Sequence, residues 1–501
     1  MIIRLKVNGF KNLVGVDVRF GPFTCIAGNN GVGKSNLFDA IRFLSALAGQ
    51  PLIEAALSIR AEGGSASDLR NLFHRVGGNY ADRMSFEAEM IVPSEAVDDL
   101  GQTAEATNTM LRYSLELGYF GNHNWPLSSG SIQILKEELS HIKKGETGKH
   151  LLFKHNKKRW LDTILKAGRR VPYFISTEGD GDDRIIKLHQ DGGGSRGKPL
   201  SRSASNLPRT VLSAANAAES PTVLCARREM ESWKILQLEP SALRKPDEIH
   251  APSHLTSNGG HLPATLYRLA QNPFGGIEKG ESKTDPESIF AKVANRLSTL
   301  IGDVNRVWVD RDYRREILTV QVAEKDRTEH PARSLSDGTL RFLALSVLEL
   351  DAIAKGVICL EEPENGIHPE RIPAMLQLLK DIAIDSTEPV DETNPLRQVI
   401  VNTHSPAVVS EVPDDSLLVA EAEEDIQNGQ RFKKVSFRCL SDTWRANAKV
   451  PEKTTIVSKG KLMAYLNPAS PPNPEIPQPV KRVVDRDDLQ MLLPFGGNID
   501  G

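Results

Sequence analysis

The sequence predicts an α/β fold in which a head is assembled from both ends of the chain, with a mixed α+β lobe inserted between them. Three observations carry this expectation. The apolar run FTCIAG leads through glycine-rich sequence into a helical pattern, GKSNLFDAIRFLSALAG, with Leu37, Ile41, Leu44 and Leu47 on one face. Two later runs, VICLEE and RQVIVNTHS, have the apolar character of strands buried on both faces of a parallel sheet. Ser35 and Glu361 stand 326 positions apart, with mixed strand and helix patterns between them.

Taken in order, IIRLKV and GVDVRF read as short strands ahead of the glycine loop. After the polar stretch EGGSASDLRNLFHRVGGNYADR come the strand-like runs MSFEAEMIV, LRYSLELGYF, SIQILKEEL, VPYFIST and RIIKLHQ. Asp180-Gly181-Asp182-Asp183 makes a turn between the last two, and Arg184 at a ligand position, with no closing Glu, excludes a calcium loop. Residues 191–205, DGGGSRGKPLSRSAS, read as a flexible loop. Helical patterns return at PATLYRLAQ and ESIFAKVANRLSTLIGDV, followed by strands RVWVDRD and EILTVQVAE and a long helix, LRFLALSVLELDAIA. Asn428-Gly429 between two strand-like runs marks a hairpin. Six prolines from Pro468 to Pro479 predict an extended linker to a short tail. The expected division is 1–95 and 285–440 for the two parts of the head, 96–284 for the insertion lobe and 441–501 for a C-terminal appendage.

A chain of 501 residues, 39% of them hydrophobic, exceeds one ordinary core. The net charge of -3 gives no global attraction to nucleic acid or an anionic membrane, so any such binding falls to a local patch. Cys25, Cys225, Cys359 and Cys439 are scattered, which argues against a disulfide framework or a zinc site and fits a reducing compartment. The N-terminus MIIRLKVNGFKN alternates apolar and charged residues, and nowhere do 18 apolar residues run together. A cytoplasmic protein with no membrane partner is expected.

Gly28-Asn29-Asn30-Gly31-Val32-Gly33-Lys34-Ser35 satisfies the P-loop pattern between a strand and a helix. Glycines let backbone N–H groups converge on phosphate, the helix N-terminus adds positive potential, Lys34 neutralises terminal phosphate charge and the Ser35 hydroxyl can ligate magnesium. The ATP-binding set at this loop is Asn30, Gly31, Gly33, Lys34, Ser35 and Asn36. Farther on, Leu335-Ser336-Asp337-Gly338-Thr339 precedes a helix, Glu361-Glu362-Pro363-Glu364 ends one apolar run, and Thr403-His404-Ser405 ends another.

The order of these four motifs resembles the heads of ABC-type ATPases, and among them the RecF, SMC and OLD-like group. The resemblance covers roughly residues 1–95 and 285–440. It implies an ABC-type P-loop ATPase head using ATP and Mg2+. Ser336 and Gly338 would then reach the γ-phosphate of ATP held by a second subunit, so that ATP joins two heads in a homodimer or higher oligomer. Glu361 would support the metal, Glu362 would be the general base, and His404 would contact the γ-phosphate and the water. Ile367-His368 would lie in the loop that crosses the dimer interface. One extra methylene in Glu361 is absorbed by a water-mediated metal contact, and the base is present. Asp337 departs from the glycine of transporter signatures. The sequence alone does not place the glutamine loop of such heads.

No long heptad pattern occurs in the insertion, so it is not an SMC arm. Residues 143–170 hold ten Lys and Arg against Glu146 and Asp162. Phosphate contact is expected of Lys154, Lys157, Lys158 and Arg159 and base stacking of the interleaved Phe153 and Trp160, the alternative being a solvated face. Val419–Asp425 and Val483–Asp487 mimic pieces of a Toprim nuclease, but the first lies in the hairpin and the second in too short a tail. By resemblance, stand-alone ATPases of this group serve antiphage systems in which a separate effector, a nuclease or toxin, is held or released. The alternatives are RecF-like DNA repair and a module that uses ATP as a clamp without hydrolysing it, with a transporter subunit more distant.

Overall fold

The computed structural model describes residues 1–59, 68–120, 131–169, 171–191, 198–272, 285–427, 429–447 and 456–458, together with 460, 462 and 465. The chain divides into two units, Met1–Ser458 and Lys459–Gly501. The proline-rich stretch and the tail expected after it lie outside the described residues.

The first unit opens with the hairpin β1 (Ile2–Asn8) and β2 (Val16–Arg19), then β3 (Phe23–Ala27) and α1 (Lys34–Gly49). A meander follows: β4 (Arg83–Ile91), β5 (Met110–Phe120), β6 (Ser131–His141), β7 (Tyr173–Glu178), β8 (Ile185–Leu188) and β9 (Leu200–Ser203). Next come α2 (Pro221–Glu231), β10 (Lys234–Leu236), α3 (Leu262–Gln271), α4 (Pro286–Ile301), β11 (Val304–Asp312), β12 (Ile317–Glu324) and α5 (Asp337–Leu350). The chain then forms β13 (Gly356–Glu361), α6 (Ile372–Ile382), β14 (Arg397–Thr403) and the hairpin β15 (Leu417–Gln427) and β16 (Gln430–Cys439).

Two sheets organise these elements. The eight-stranded sheet runs β9-β8-β7-β6-β5-β4-β1-β2, every pair antiparallel. The six-stranded sheet runs β10-β13-β14-β3-β15-β16 and is parallel except for its last pair. The sequence explains the difference. Along β5 most buried residues alternate with half-buried ones, as expected when one face meets a core. In β3 and β14 every residue is buried, which suits strands covered on both faces. Leu37, Ile41, Leu44 and Leu47 of α1 are all buried in one core with side chains of both sheets. Phe43 of α1 stacks on Phe10, 5.8 Å between centroids, and both rings meet Phe86 of β4. Burial of each such side chain is worth about 1.5–3 kcal/mol.

The expected boundaries need correction. Residues 96–284 do not stand apart as a lobe: β5 to β9 extend the sheet that β1 starts, because β5 pairs with β4 from Arg83 to Ile91. The same stretch returns to the head, where α2 packs on α1 and β10 pairs in parallel with β13. Within the expected loop 191–205, Leu200–Ser203 is strand β9, paired with β8 from Leu188 to Ile185; alternation along β8 outweighs the local Ser and Gly content. The boundary at 440 also moves, since Arg445 is buried and bonds the Arg19 and Asp415 carbonyls. The hairpin around Gly429 forms as expected.

Candidate active site

In the parallel sheet the register fixes where the site must lie. Leu236 pairs with Leu360, Glu361 with Asn402, and Thr403 with Ala27, so β10, β13, β14 and β3 all end at one edge. Ligands of open α/β sheets bind at such carboxyl ends. A cavity of about 590 Å³ opens there, lined by Asn30, Gly31, Gly33, Lys34, Ser35 and Asn36 of the loop and by Glu361, Glu362 and Asn365 opposite. Its volume lies in the range of roughly 300–1,000 Å³ of small-molecule pockets.

The loop is held from below by Asn12. Its amide donates to Val32 O (3.1 Å) and accepts from Asn36 Nδ2 (2.8 Å). Gly33 has φ 109°, and a Cβ there would sit 2.3 Å from that amide, so only glycine lets α1 begin here. Lys34 is buried, and its ammonium donates to the carbonyls of Gly28 (2.5 Å) and Asn29 (3.0 Å). Burial lowers its pKa, while Glu362, Glu364 and Glu361 pull the other way. A buried cation at the start of a helix, facing Glu361 and Glu362 across a cavity, fits a polyphosphate that carries a metal.

Glu362 leaves β13 with φ 47°, a left-handed conformation uncommon for any residue but glycine. Its N–H donates to Asn402 O (3.0 Å), which anchors the turn. Both carboxylate oxygens are then engaged: His404 Nδ1 lies 2.6 Å from Oε1, and Asn365 Nδ2 donates to Oε2 at 2.9 Å. Behind this pair, Glu364 is buried and accepts from Thr403 Oγ1 at 2.5 Å, while its Oε2 has no hydrogen-bond partner among the described residues. Burial holds the Glu364 carboxyl above the usual range, Thr403 opposes that and Glu362 adds to it. Gly28 N donates to Thr403 O (3.2 Å), which ties the start of the loop to the turn bearing His404.

Ser336 caps α5, its Oγ accepting from Thr339 N at 3.2 Å. It lies on the surface, and neither it nor Gly338 lines the cavity of its own chain. Gly338 is buried against the turn after β13: a Cβ there would stand 2.2 Å from Gly366 O. The sequence-expected residues thus form two groups, the loop, Glu361, Glu362 and His404 at the sheet edge, and Ser336 with Gly338 at a helix start that meets the Gly366 turn.

Sequence reasoning missed several members. Gln237 follows the three-residue strand β10 and lines the same cavity as the loop. A strand of three residues is too short for periodicity to register, and WKILQLEP carries no other mark. Asn365, Asn402 and Arg341 also line the cavity.

In the basic segment the structure overturns one expectation. Phe153 and Trp160 are buried, 5.7 Å apart, in a cluster with Met1, Ile3 and Leu161, so neither can stack on a base. Asn156 caps the helical turn Lys157–Leu161 and so points Trp160 inward and the cations outward. Lys154, Lys157 and Lys158 are exposed, and Arg159 pairs with Glu388 at 2.9 Å.

No cluster of three or more His, Cys, Asp or Glu among the described residues forms a metal cage. No described helix is long and apolar enough to cross a membrane.

Fold, loop and strand-end acids together define an ABC-type P-loop ATPase head. Residues 23–169 and 231–410 match the sequence model of the family described as "AAA domain, putative AbiEii toxin, Type IV TA system", and the chain belongs to that family. A stretch of 46 residues is 48% identical to the DNA replication and repair protein RecF of Porphyromonas gingivalis, in two strains. It spans 9% of this chain and 13% of that relative. An SMC head bound to the C-winged helix domain of ScpA aligns over 88% of this chain and 98% of its own, at 15% identity and a TM-score of 0.42. The SMC head domain from Thermotoga maritima aligns over 88% and 99%, at 12% identity and a TM-score of 0.35. A Pyrococcus furiosus Smc head with an extended coiled coil, bound to the C-terminal domain of ScpA, aligns over 87% and 96%, at 13% and 0.40.

Proposed function

We propose that the protein hydrolyses ATP between two of its own heads and that closure and reopening of this dimer set the state of a separate effector. The observation that carries the hydrolytic part is Glu362, a carboxylate at the rim of the loop cavity, oriented by His404 and Asn365. In this reading the loop amides and Lys34 bind the phosphates. Ser35, Gln237 and, through water, Glu361 would hold magnesium, which neutralises phosphate charge when bound. Glu362 accepts a proton from the attacking water, whose oxygen bonds to the γ-phosphorus as the bridging oxygen leaves with ADP. His404 steers the carboxylate. Ser336 and the start of α5 serve the opposite head, consistent with their place away from the chain's own cavity.

The test is a pair of variants. Lys34→Ala should lose ATP binding, whereas Glu362→Gln should bind ATP and accumulate as a dimer, since only the base is removed. Hydrolysis by Glu362→Gln at the native rate would reject the assigned base.

The family's description, which names a toxin of a type IV toxin–antitoxin system, is compatible with a place in bacterial antiphage defence, with a nuclease or toxin as effector. Purification with the neighbouring gene product tests it. A RecF-like DNA repair role is the second reading. The exposed lysines at 154, 157 and 158 favour DNA contact of a purely electrostatic kind. ATPase activity stimulated by DNA gaps or ends, with no effector bound, would support it. A cytoplasmic location belongs to both readings.

A further inference from the structure

The helix that starts at the signature opens on an acid. Asp337 is the first residue of α5, its side chain 56% exposed, between Ser336 and Gly338. If this end of α5 meets phosphates of the opposite head, as the proposed function requires, a bare carboxylate there repels them. One cation answers it. Arg244 Nη2 donates to Asp337 Oδ1 at 2.5 Å and to Leu335 O at 3.0 Å.

Arg244 follows the short helix Pro240–Leu243, a few residues beyond Gln237 in the cavity wall. This stretch is fixed from both sides. Gln237 N donates to Ser257 O (2.8 Å) and Glu239 N to Asn258 O (2.9 Å). From α5, Arg341 Nε donates to Leu238 O (3.1 Å) and Nη1 to Asn365 O (2.6 Å). Two arginines, one on each partner, therefore tie the wall of the chain's own cavity to the helix start that serves the other head.

We propose that Arg244 is a positioning residue that neutralises Asp337, so that an acidic signature can close on phosphate. The proposal rests on the dimer reading above. An ordinary surface ion pair contributes little to stability and has no bearing on closure. Charge compensation has a different signature. Loss of Arg244 does harm only while Asp337 is present.

A double-mutant cycle in the Glu362→Gln background tests this, with Arg244→Ala, Asp337→Asn and the pair together. The readouts are ATP-driven dimerisation by light scattering and binding of a fluorescent ATP to the single head. Arg244→Ala should weaken dimerisation by about tenfold or more while single-head binding stays intact. Asp337→Asn combined with it should return dimerisation to within about threefold of the parent. Arg244→Lys, which keeps the charge, should fall between, and thermal melting of each variant establishes folding. The proposal is overturned if Arg244→Ala dimerises like the parent, or if the double variant is as defective as Arg244→Ala. A parent that binds ATP yet never dimerises sinks the dimer reading and this proposal with it, an outcome distinct from either of those.

Discussion

The two sheets place their polar groups in opposite ways. In the parallel sheet, β3, β13 and β14 are buried along nearly all their length, and the chemistry gathers where they and β10 end, at Ala27, Leu236, Glu361 and Thr403. In the antiparallel sheet two carboxylates lie inside the packing. Glu137 of β6 is fully buried and accepts the backbone N–H groups of Val211 (2.7 Å) and Leu212 (2.8 Å). Glu89 of β4, also fully buried, takes Arg112 at 2.8 Å and His150 at 2.7 Å; its pKa is about 2, with these partners outweighing burial. A half-buried acid at a strand end beside a cavity can do chemistry. One bonded to neighbouring backbone holds two segments together.

The largest expected effect breaks the first sheet. Glu362→Gln should lower ATP turnover by about 10²–10⁴-fold, the usual contribution of a general base, with ATP affinity retained. Steady-state phosphate release and equilibrium nucleotide binding measure the two. Glu137→Gln should do nothing to turnover and instead alter stability. Burial raises the Glu137 pKa from 4.5 to about 7, so the folded state holds its proton over that window more tightly than the unfolded chain. Stability is thus greatest below pH 4.5 as far as this group is concerned and declines as pH rises towards 7. The decline is worth about 3 kcal/mol. Urea melts from pH 5 to 8 should lose this component in Glu137→Gln, whatever its absolute stability, and an unchanged pH slope would remove the assigned titration.

Why one sheet was legible follows from the same contrast. A P-loop needs glycines, a lysine and a hydroxyl in fixed order because backbone amides must reach one phosphate, so Gly28 to Ser35 carries its own address. Glu361, Glu362 and His404 were readable because strand-end acids and a histidine follow apolar runs. Gln237 was not, since its strand is three residues long and its importance comes from pairing with β13, a contact no local pattern encodes. Asn12 and Asn365 act through long-range or turn hydrogen bonds. In the antiparallel sheet the strands themselves were readable from alternation. That they continue the N-terminal hairpin was not, because β4 joins β1 across some eighty residues of sequence. Phe153 and Trp160 looked like a stacking platform only because composition does not say which way a side chain faces.

Gln237→Ala sharpens the case for a residue that only the structure supplied. It touches no backbone contact of the strand, and Gln237 N keeps its bond to Ser257 O. The expected result is about a tenfold loss of turnover, with a higher magnesium requirement and near-native ATP binding, in keeping with loss of one metal-side polar group. Magnesium titrations of ATPase activity measure this. Native turnover at limiting magnesium would remove Gln237 from the site.

The smallest effect concerns the basic segment. Lys157 and Lys158 are exposed and belong to neither sheet, while Arg159 is already paired with Glu388. With the aromatic side chains buried, whatever affinity this surface has for DNA comes from phosphate neutralisation, which is insensitive to sequence and steep in salt. Each lost phosphate contact lowers the slope of log K against log salt by about 0.9. Lys157→Glu combined with Lys158→Glu should therefore reduce that slope by about two, with basal ATP turnover in the absence of DNA unchanged. Fluorescence anisotropy with a random-sequence duplex between low and physiological salt measures it. Slopes that coincide for the variant and the native protein would return Lys154, Lys157 and Lys158 to a solvated surface. The parallel sheet's end would then stand as the functional part of the described chain.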